Sequence, residues 1–337
     1  MKQALLWEPV KGDKVACRLC SHFCLIEEGQ RGLCGVRENR KGALFALSYG
    51  KIAAVNLDPV EKKPLYHFLP GSTTFSLATP GCNFSCRFCQ NYSLSQPPRP
   101  GGPIEGRVMS PEQLVAAAKD CGSRSISYTY SEPTVFFELV LETSRLACGQ
   151  GLRNILVSNG FQSPQCLSEL GPHIQAANID LKAFSEDFYR EQCGAKLKPV
   201  LDNLKRMIGL GWWVEVTTLV IPGLNDSKAE LGDIAGFIAR ELGAHVPWHV
   251  SRFHPTYKLT DRPPTPVSTL ERALAAGKDA GLQFVYIGNV PGHDADDTRC
   301  PSCLKRLIAR SGFAVTENLL AEGACPQCGE KIAGVWT

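Results

Sequence analysis

Long hydrophobic runs are missing from this sequence, and their absence limits where the protein can act. No stretch of about 18 consecutive apolar residues occurs, so the sequence offers no candidate for a membrane-spanning helix. Residues 1–9 lack the apolar stretch and the small-residue cleavage site of a signal peptide. We therefore expect a cytoplasmic protein that does not act in a membrane.

An excess of charge of one sign is also missing. The 36 Lys and Arg residues against 33 Asp and Glu give a net charge of +3, which does not indicate nucleic acid or an anionic membrane as a partner. With 44% hydrophobic and 20% charged residues, the chain has the composition of a globular protein with a large core. This balance excludes extensive disorder.

Cysteine is the residue in excess, with 15 in 337 residues. In a reducing compartment such a surplus indicates metal binding or catalysis before disulfides. Eleven cysteines form three groups: Cys17, Cys20, Cys24 and Cys34; Cys82, Cys86 and Cys89; and Cys300, Cys303, Cys325 and Cys328. The others, which we interpret as small buried hydrophobic residues, are Cys121, Cys148, Cys166 and Cys193.

Between the outer groups, short apolar runs alternate with helical patterns. The runs predict strands near 75–81, 125–130, 153–158, 176–181, 213–221, 247–253 and 283–288. Helices are predicted from Ser110 onward, where Gln113 completes a capping box, and over 134–147, 185–192, 197–209, 227–242 and 268–280. This α/β order predicts a parallel sheet that forms a barrel or an open partial barrel, with an open doubly wound sheet as the alternative.

Polar residues follow several of the predicted strands. They are Tyr130, Ser131 and Glu132 after the second strand, Ser158 and Asn159 after the third, Asp180 and Lys182 after the fourth, and His254 after the sixth. Working groups of parallel barrels gather at the carboxyl ends of strands. We therefore expect a functional site at that end of the sheet.

The central cysteines form a C-x3-C-x2-C motif directly after the first predicted strand. Three thiolates are one fewer than a closed tetrahedral metal site requires. A cubane iron–sulfur cluster held by three cysteines would keep one iron open for a substrate or cofactor. A zinc site completed by His67 or another side chain is the alternative.

The motif resembles the signature of radical S-adenosylmethionine (SAM) enzymes, including the aromatic Phe88 before the last cysteine. The residues after the other strands resemble later motifs of pyruvate formate-lyase activating enzymes, in the same order over roughly 75–255. Together with residues 58–68 and the N-terminal cysteines, the chain looks most like the radical SAM component of the AmmeMemoRadiSam system. The resemblance implies a partial (β/α)6-type radical SAM barrel over 71–290, with cysteine-rich metal-binding lobes over 1–70 and 291–337.

The resemblance also implies a chemistry and a set of cofactors. SAM would chelate the open iron of a 4Fe–4S cluster held by Cys82, Cys86 and Cys89, and reductive cleavage would give a 5′-deoxyadenosyl radical that abstracts a hydrogen atom. The protein would supply placement and dry surroundings for this cofactor chemistry. An electron donor such as flavodoxin or ferredoxin, and other AmmeMemoRadiSam components, would be its partners.

Matched position by position, Phe88 would pack near the adenine of SAM. Ser131 and Glu132 would hold the SAM amino group, with Tyr130 beside them. Alternatively, Glu132 only opens a helix, where its charge is favourable.

The resemblance further implies that Ser158, Asn159 and Asp180 line the SAM site. Ser158 and Asp180 match positions that help to bind a cation near the SAM carboxylate, but Val157 replaces the acidic residue used there. Lys182 would complete a charged site with Asp180, unless the two form a structural ion pair. The last expected SAM-site residue, His254, could equally be a turn residue before a proline.

The C-terminal cysteines form two C-x2-C pairs with the spacing of a four-cysteine zinc ribbon. We predict a structural zinc there, with an auxiliary iron–sulfur cluster as the alternative, because so short a lobe has too little core to fold without a metal. The N-terminal cysteines leave zinc and an auxiliary iron–sulfur cluster equally open, and His22 could replace one thiolate.

Three functions follow from the sequence. The first is a radical SAM oxidoreductase that abstracts a hydrogen atom from an unidentified substrate. The second is an activase of a glycyl-radical enzyme. A non-enzymatic zinc protein, in which the barrel is a scaffold for protein or RNA contact, is the alternative of another class.

Overall fold

The first 60 residues form short, mostly antiparallel strands. The computed structural model describes residues 1–99, 101–290 and 294–337. The N-terminal strands are β1 (Lys2–Gln3), β2 (Trp7–Val10), β3 (Lys14–Cys17), β4 (Leu25–Ile26), β5 (Arg37–Arg40), β6 (Ala43–Ala46), β7 (Lys51–Ile52) and β8 (Ala54–Pro59). Two small sheets, β1-β6-β5 and β2-β3-β4, carry the N-terminal cysteines.

Most of the next strands belong to the main sheet. They are β9 (Thr73–Ala78), β10 (Arg107–Val108), β11 (Ser125–Tyr128), β12 (Arg153–Ser158), β13 (Ala176–Asp180), β14 (Trp213–Val220), β15 (Trp248–Arg252) and β16 (Val285–Gly288). The sheet order is β16-β15-β14-β13-β12-β11-β9-β8, and β10 pairs with β7 instead. All neighbours from β9 to β16 are parallel, whereas β8 is antiparallel to β9.

This order decides between the two predicted architectures. The parallel strands follow one another across the sheet in chain order, as in a barrel that is wound in one direction, whereas a doubly wound sheet reverses direction at a switch point. The seven predicted strands are confirmed, and their ends differ by only a few residues.

The helices connect these strands. They are α1 (Tyr92–Ser95), α2 (Pro111–Asp120), α3 (Phe137–Gly149), α4 (Pro164–Leu170), α5 (Glu186–Phe188), α6 (Leu197–Gly209), α7 (Lys228–Phe237) and α8 (Val267–Asp279). α5 and α7 continue into single π-helical turns, Tyr189–Cys193 and Ile238–Leu242. The predicted capping box of α2 is confirmed. Within the described residues, no helix is both long and apolar enough to cross a bilayer.

The central strands are buried on both faces. Every residue of β11 is buried, and in α6 the apolar residues Leu197, Val200, Leu204 and Met207 face the core at helical spacing. Helices therefore cover the sheet, and the loops at the carboxyl ends of the strands remain for function.

The C-terminal strands form a small antiparallel sheet: β17 (Thr298–Arg299), β18 (Arg306–Ser311) and β19 (Ala314–Asn318). Leu307 and Ile308 pack with Tyr66, Phe284 and Tyr286 in one buried cluster. The predicted start of this lobe, residues 291–293, lies outside the described residues. The sheet thus rests against β16 and the segment that follows β8.

Candidate active site

The three central cysteines lie on the loop that leaves the carboxyl end of β9. Gly81, just before Cys82, has a φ of +108°, and a Cβ atom there would lie 2.7 Å from Val36. Only glycine fits this left-handed and crowded position without strain. All three thiols are free; Cys86 is buried, and Cys82 and Cys89 are half-buried.

Backbone hydrogen bonds hold this loop against the π-helical turn after α5. The amide of Ser85 donates to the carbonyl of Cys193 (2.9 Å), and the amide of Arg87 donates to Gln192 (2.9 Å). Within the loop, the amide of Phe84 donates to the Cys82 sulfur at 3.3 Å. Such donors favour a thiolate, which is the form that binds a metal.

Cys193 contributes a fourth thiol to this region. A hydrogen bond from Cys193 lowers the pKa of the Cys86 thiol, whereas burial raises the pKa of Cys193 itself. Cys193 therefore acts as the hydrogen-bond donor and Cys86 as the acceptor in this pair. Sequence analysis placed Cys193 among the buried hydrophobic residues, because a contact between residues so distant in the chain leaves no local pattern.

Glu132 lies at the carboxyl end of β11 and is 1% exposed. Its Oε1 accepts hydrogen bonds from the Thr134 amide (3.0 Å) and from the hydroxyls of Thr134 (2.5 Å) and Ser158 (2.8 Å). Its Oε2 accepts from the Asn159 amide at 2.9 Å. Burial raises the pKa of Glu132, and these donors oppose the rise. The carboxylate is thus fixed by the residues that follow β11 and β12.

This network continues to the cysteine loop. The Asn159 side chain donates to Asn83 Oδ1 at 2.7 Å and lies 3.9 Å from the Cys82 sulfur. Glu132, Ser158, Asn159 and Cys82 therefore form one connected group across three neighbouring parallel strands, as expected from their positions in the sequence.

Asp180 and Lys182 form the ion pair that was one of the two interpretations, with Nζ 2.9 Å from Oδ2. Lys182 Nζ also lies 5.7 Å from the centre of the Phe88 ring, which is buried and tilted against Phe188. Burial opposes the charge of Lys182, but Asp180 and the Cys86 thiolate outweigh it and raise the pKa. The pair thus stands beside the cysteine loop.

Tyr130 faces away from Glu132, toward the segment after β8. Its hydroxyl donates a short hydrogen bond to Asp58, and Lys63 Nζ lies 4.6 Å from the centre of its ring. Tyr130 has a left-handed backbone (φ 62°), and Ser131 Oγ donates to the Thr79 carbonyl at 2.7 Å. In the sequence, residues 58–68 stand out only through the family resemblance. In the structure, this segment contacts the end of β11 directly.

His254 is exposed and lies on a separate cavity of about 1160 Å³. This cavity is bounded by the ends of β15 and β16 and by the C-terminal sheet, and Gln90, next to Cys89, also lines it. Buried polar residues on its wall include Glu61 and His249. The cavity therefore extends from the cysteine loop to the C-terminal lobe.

His67 is fully buried beneath the C-terminal lobe. Its Nδ1 donates to the Ala333 carbonyl at 2.8 Å, because a carbonyl can only accept, and its Nε2 accepts from the Tyr286 hydroxyl at 2.6 Å. Both ring nitrogens are engaged away from the central cysteines. The structure therefore does not support the alternative in which His67 completes a central zinc site.

The sulfur atoms of the four C-terminal cysteines lie close together. The sulfurs of Cys300 and Cys328 are 3.6 Å apart, as are those of Cys303 and Cys325, and all four lie within 4.8 Å of one another. Tetrahedral zinc, with bonds of about 2.3 Å, requires sulfurs separated by about 3.8 Å. The quartet has the donor set and the compactness of such a site.

The N-terminal cysteines surround a small cavity together with His22, Arg37 and Asn83. Cys17, Cys20 and Cys34 are buried, and Cys24 is half-buried. The His22 Nε2 atom lies 2.9 Å from the Asn83 carbonyl, within the central cysteine loop. The N-terminal and central cysteine groups are thus neighbours.

The sequence is similar to one known protein family and to several known proteins. The model of the radical SAM superfamily matches residues 76–235. The chain is 46% identical to the uncharacterized protein MJ0808 of Methanocaldococcus jannaschii, over 98% of this chain and 99% of that protein. The similarity therefore extends over nearly the full length of both proteins.

More distant similarities cover smaller shares of the chain. A putative glycyl-radical enzyme activating enzyme of the same organism, MJ1632, is 27% identical over 50% of this chain and 64% of that protein. A radical SAM methyltransferase from Sphaerobacter thermophilus shares the fold, with a TM-score of 0.50 and 18% identity over 65% of this chain and 67% of that one.

Proposed function

Because the chain belongs to the radical SAM superfamily, we propose that it is an oxidoreductase in which Cys82, Cys86 and Cys89 hold a 4Fe–4S cluster. When bound with SAM, this cluster would supply the electron for reductive cleavage and thereby a radical that takes a hydrogen atom from a substrate. The observation that carries the proposal is the hydrogen-bonded connection from Cys82 through Asn159 to Glu132, at the ends of three parallel strands.

The donor set fits the proposed cluster. Three free thiols on one loop are soft ligands of the kind that iron–sulfur clusters use. A hydrogen bond from the Cys193 thiol lowers the pKa of Cys86, and the Phe84 amide opposes the rise that burial causes in the pKa of Cys82. In addition, the ammonium group of Lys182 is held beside Cys86, where it offsets negative charge.

The remaining residues of the site bind and orient SAM in this proposal. Ser131 and Glu132 hold the amino group, with Tyr130 beside them, while Ser158 and Asn159 fix the Glu132 carboxylate. Three further roles are assigned to residues near this group. Asp180 and Lys182 would form the polar wall, Phe88 would lie near the adenine, and His254 would border the site from β15.

The substrate would occupy the cavity of about 1160 Å³ between the cysteine loop and the C-terminal lobe. Its size suits a small molecule or a short segment of a macromolecule.

We further propose that the C-terminal quartet holds structural zinc, that flavodoxin or ferredoxin delivers the electron, and that the enzyme works within the AmmeMemoRadiSam system. The last point rests on the resemblance carried by residues 58–68 and by the N-terminal cysteines.

The test uses protein purified and reconstituted without oxygen. We expect wild type to convert SAM to 5′-deoxyadenosine and methionine under reduction. The triple variant Cys82→Ala, Cys86→Ala, Cys89→Ala should lose this activity, whereas the control Cys121→Ala should keep it, because Cys121 is exposed and isolated. SAM cleavage by the triple variant, or none by cluster-loaded wild type, would refute the proposal.

A second candidate function is activation of a glycyl-radical enzyme. The similarity to MJ1632, itself named as a putative activating enzyme, favours it. Activation would leave a glycyl radical on a partner protein, which electron paramagnetic resonance detects after incubation with reduced enzyme and SAM. The non-enzymatic alternative predicts instead a colourless protein that contains zinc and no iron.

A further inference from the structure

The two outer cysteine quartets differ in how closely their sulfurs approach. Across residues 1–99, 101–290 and 294–337, the C-terminal quartet is the only group of three or more Cys, His, Asp or Glu ligand atoms that all lie within 4.8 Å of one another. No three sulfurs of the N-terminal quartet come that close together. The N-terminal thiols nevertheless line one common cavity, so they share a site that is wider than a zinc site.

The cavity between these thiols gives a second measure of that width. The cavity has a volume of about 20 Å³. Four thiolates at zinc-binding separation, about 3.8 Å, would close around the ion and leave no such room. In a cubane, each thiolate binds a different iron, so the sulfurs stand farther apart.

Two buried side chains on the cavity wall have unused hydrogen-bond donors. Arg37, 1% exposed, has no partner for Nε and Nη1, although its Nη2 pairs with Glu138. Asn83, also 1% exposed, has no partner for Nδ2. Leaving such groups buried and unpaired is costly, so a ligand that accepts hydrogen bonds is indicated.

We propose that Cys17, Cys20, Cys24 and Cys34 bind an auxiliary 4Fe–4S cluster. The inorganic sulfides of such a cluster are acceptors for the unused donors of Arg37 and Asn83, whereas a zinc ion adds no acceptor to its four thiolates. The guanidinium of Arg37 also balances the net negative charge of a cluster with four thiolates. Apolar neighbours such as Leu19 and Ile26 shield it from solvent.

The auxiliary site adjoins the central cysteine loop. A Cβ atom on Gly81 would lie 3.3 Å from the Cys34 carbonyl, and His22 contacts the Asn83 carbonyl at 2.9 Å. Two paramagnetic clusters in such neighbouring loops interact magnetically. In the fully reduced protein, electron paramagnetic resonance should therefore show broadened or split signals that are absent when either cluster is removed.

The experiment measures iron, sulfide and zinc in protein reconstituted without oxygen with ⁵⁷Fe. The central triple variant, Cys82→Ala, Cys86→Ala, Cys89→Ala, leaves the N-terminal lobe intact. We expect this variant to retain about four irons and four sulfides per chain, with a 4Fe–4S Mössbauer spectrum. A triple variant that contains zinc in both outer quartets and no iron would overturn the proposal.

The single variant Cys24→Ser provides the complementary test, since Cys24 is the least buried ligand of the quartet. It should lose or alter the auxiliary spectrum while zinc content is unchanged, and the control Cys121→Ser should match wild type. If Cys24→Ser does not fold, the triple variant alone decides. Equal iron in wild type and triple variant, about four per chain, would support the auxiliary cluster and instead count against the central one.

Discussion

At the scale of single residues, Glu132 is buried and both of its carboxylate oxygens accept hydrogen bonds. Glu132→Gln replaces one carboxylate oxygen by an NH2 group that must face donors from Thr134, Ser158 or Asn159. We expect the free energy of unfolding to fall by about 1 to 3 kcal/mol because a buried donor loses its acceptor. SAM cleavage should be lost as well. Chemical denaturation and the SAM assay measure the two effects separately.

Glu142→Gln is the matched control for this substitution. Glu142 is partly exposed and bonds Lys2 and Tyr49, so its replacement should change stability by less than about 1 kcal/mol. A Glu132→Gln variant as stable and as active as this control would mean that the carboxylate is not needed where the structure holds it.

The sequence predicted much of this site but not all of it. Glu132, Ser158, Asn159 and the central cysteines could be found, because each follows a strand and parallel strands bring their ends to one edge. Cys193 and Asp58 could not be found by that reasoning. Their contacts with Cys86 and Tyr130 depend on tertiary packing between segments far apart in the chain.

At the scale of elements, a buried ion pair holds the segment after β8 against that strand. Lys63 Nζ lies 2.6 Å from Asp58 Oδ2, and their side chains are 2% and 5% exposed. Asp58→Asn leaves the Lys63 charge buried without its carboxylate, so we expect a loss of about 3 to 5 kcal/mol in unfolding free energy. Denaturant unfolding with Glu8→Gln as control, at an exposed ion pair, measures it.

Asp58→Asn should also weaken SAM binding, because a neutral amide replaces the carboxylate that accepts the short hydrogen bond from the Tyr130 hydroxyl beside Ser131. If stability falls no further than in the Glu8 control, Lys63 is not charged in the folded protein.

We expect the stability of the C-terminal hairpin, β18 and β19, to depend on metal binding at the four-cysteine site. Cys303→Ser should lower zinc by about one per chain, because it removes one of four ligands. The hairpin should then become sensitive to limited proteolysis, while the far-ultraviolet circular dichroism of the barrel is retained. Cys121→Ser is the control, and an unchanged zinc content in Cys303→Ser would exclude a four-thiolate zinc site.

Prediction of elements succeeded where a periodic pattern was long enough to be recognised. The strands from β9 to β16 in the main sheet are short runs that are rich in apolar or small residues and mostly buried, and α6 has a clear apolar stripe. The N-terminal strands were not predicted, because many are only two to four residues long and the metal-ligand loops interrupt any alternation. Helix α4 was missed for a similar reason. It has only 7 residues, and the cap at Ser163 is its main local signal.

At the scale of the whole molecule, buried polar contacts join the outer segments to the barrel. Arg37 of the N-terminal lobe pairs with Glu138 of α3, both 1% exposed. His67 joins Ala333 near the C terminus to Tyr286 of β16. Buried polar contacts of this kind require a specific geometry, so they fix how the lobes dock. The lobes should therefore respond to conditions that change these contacts.

His67 makes the docking of the C-terminal lobe dependent on pH. Burial lowers the pKa of His67 to about 4, because the charged ring would lose its solvation; the carboxylate of Glu215 opposes this shift and Arg310 adds to it. A folded-state pKa below the unfolded value, about 6.5, means that the unfolded state binds the proton more tightly. The stabilising contribution is therefore complete above about pH 6.5 and is lost as the pH falls toward 4, by about 3 kcal/mol at 1.36 kcal/mol per pKa unit.

The variant His67→Gln tests this dependence, because it keeps hydrogen-bonding groups but cannot titrate. Its unfolding free energy should be lower than that of wild type at pH 7, and the difference should shrink by about 3 kcal/mol between pH 6.5 and 4. His245→Gln, at an exposed histidine, should leave the wild-type slope unchanged. A His67→Gln slope equal to that of wild type would mean that His67 is protonated equally in both states, and that the contact with Tyr286 does not require a neutral ring.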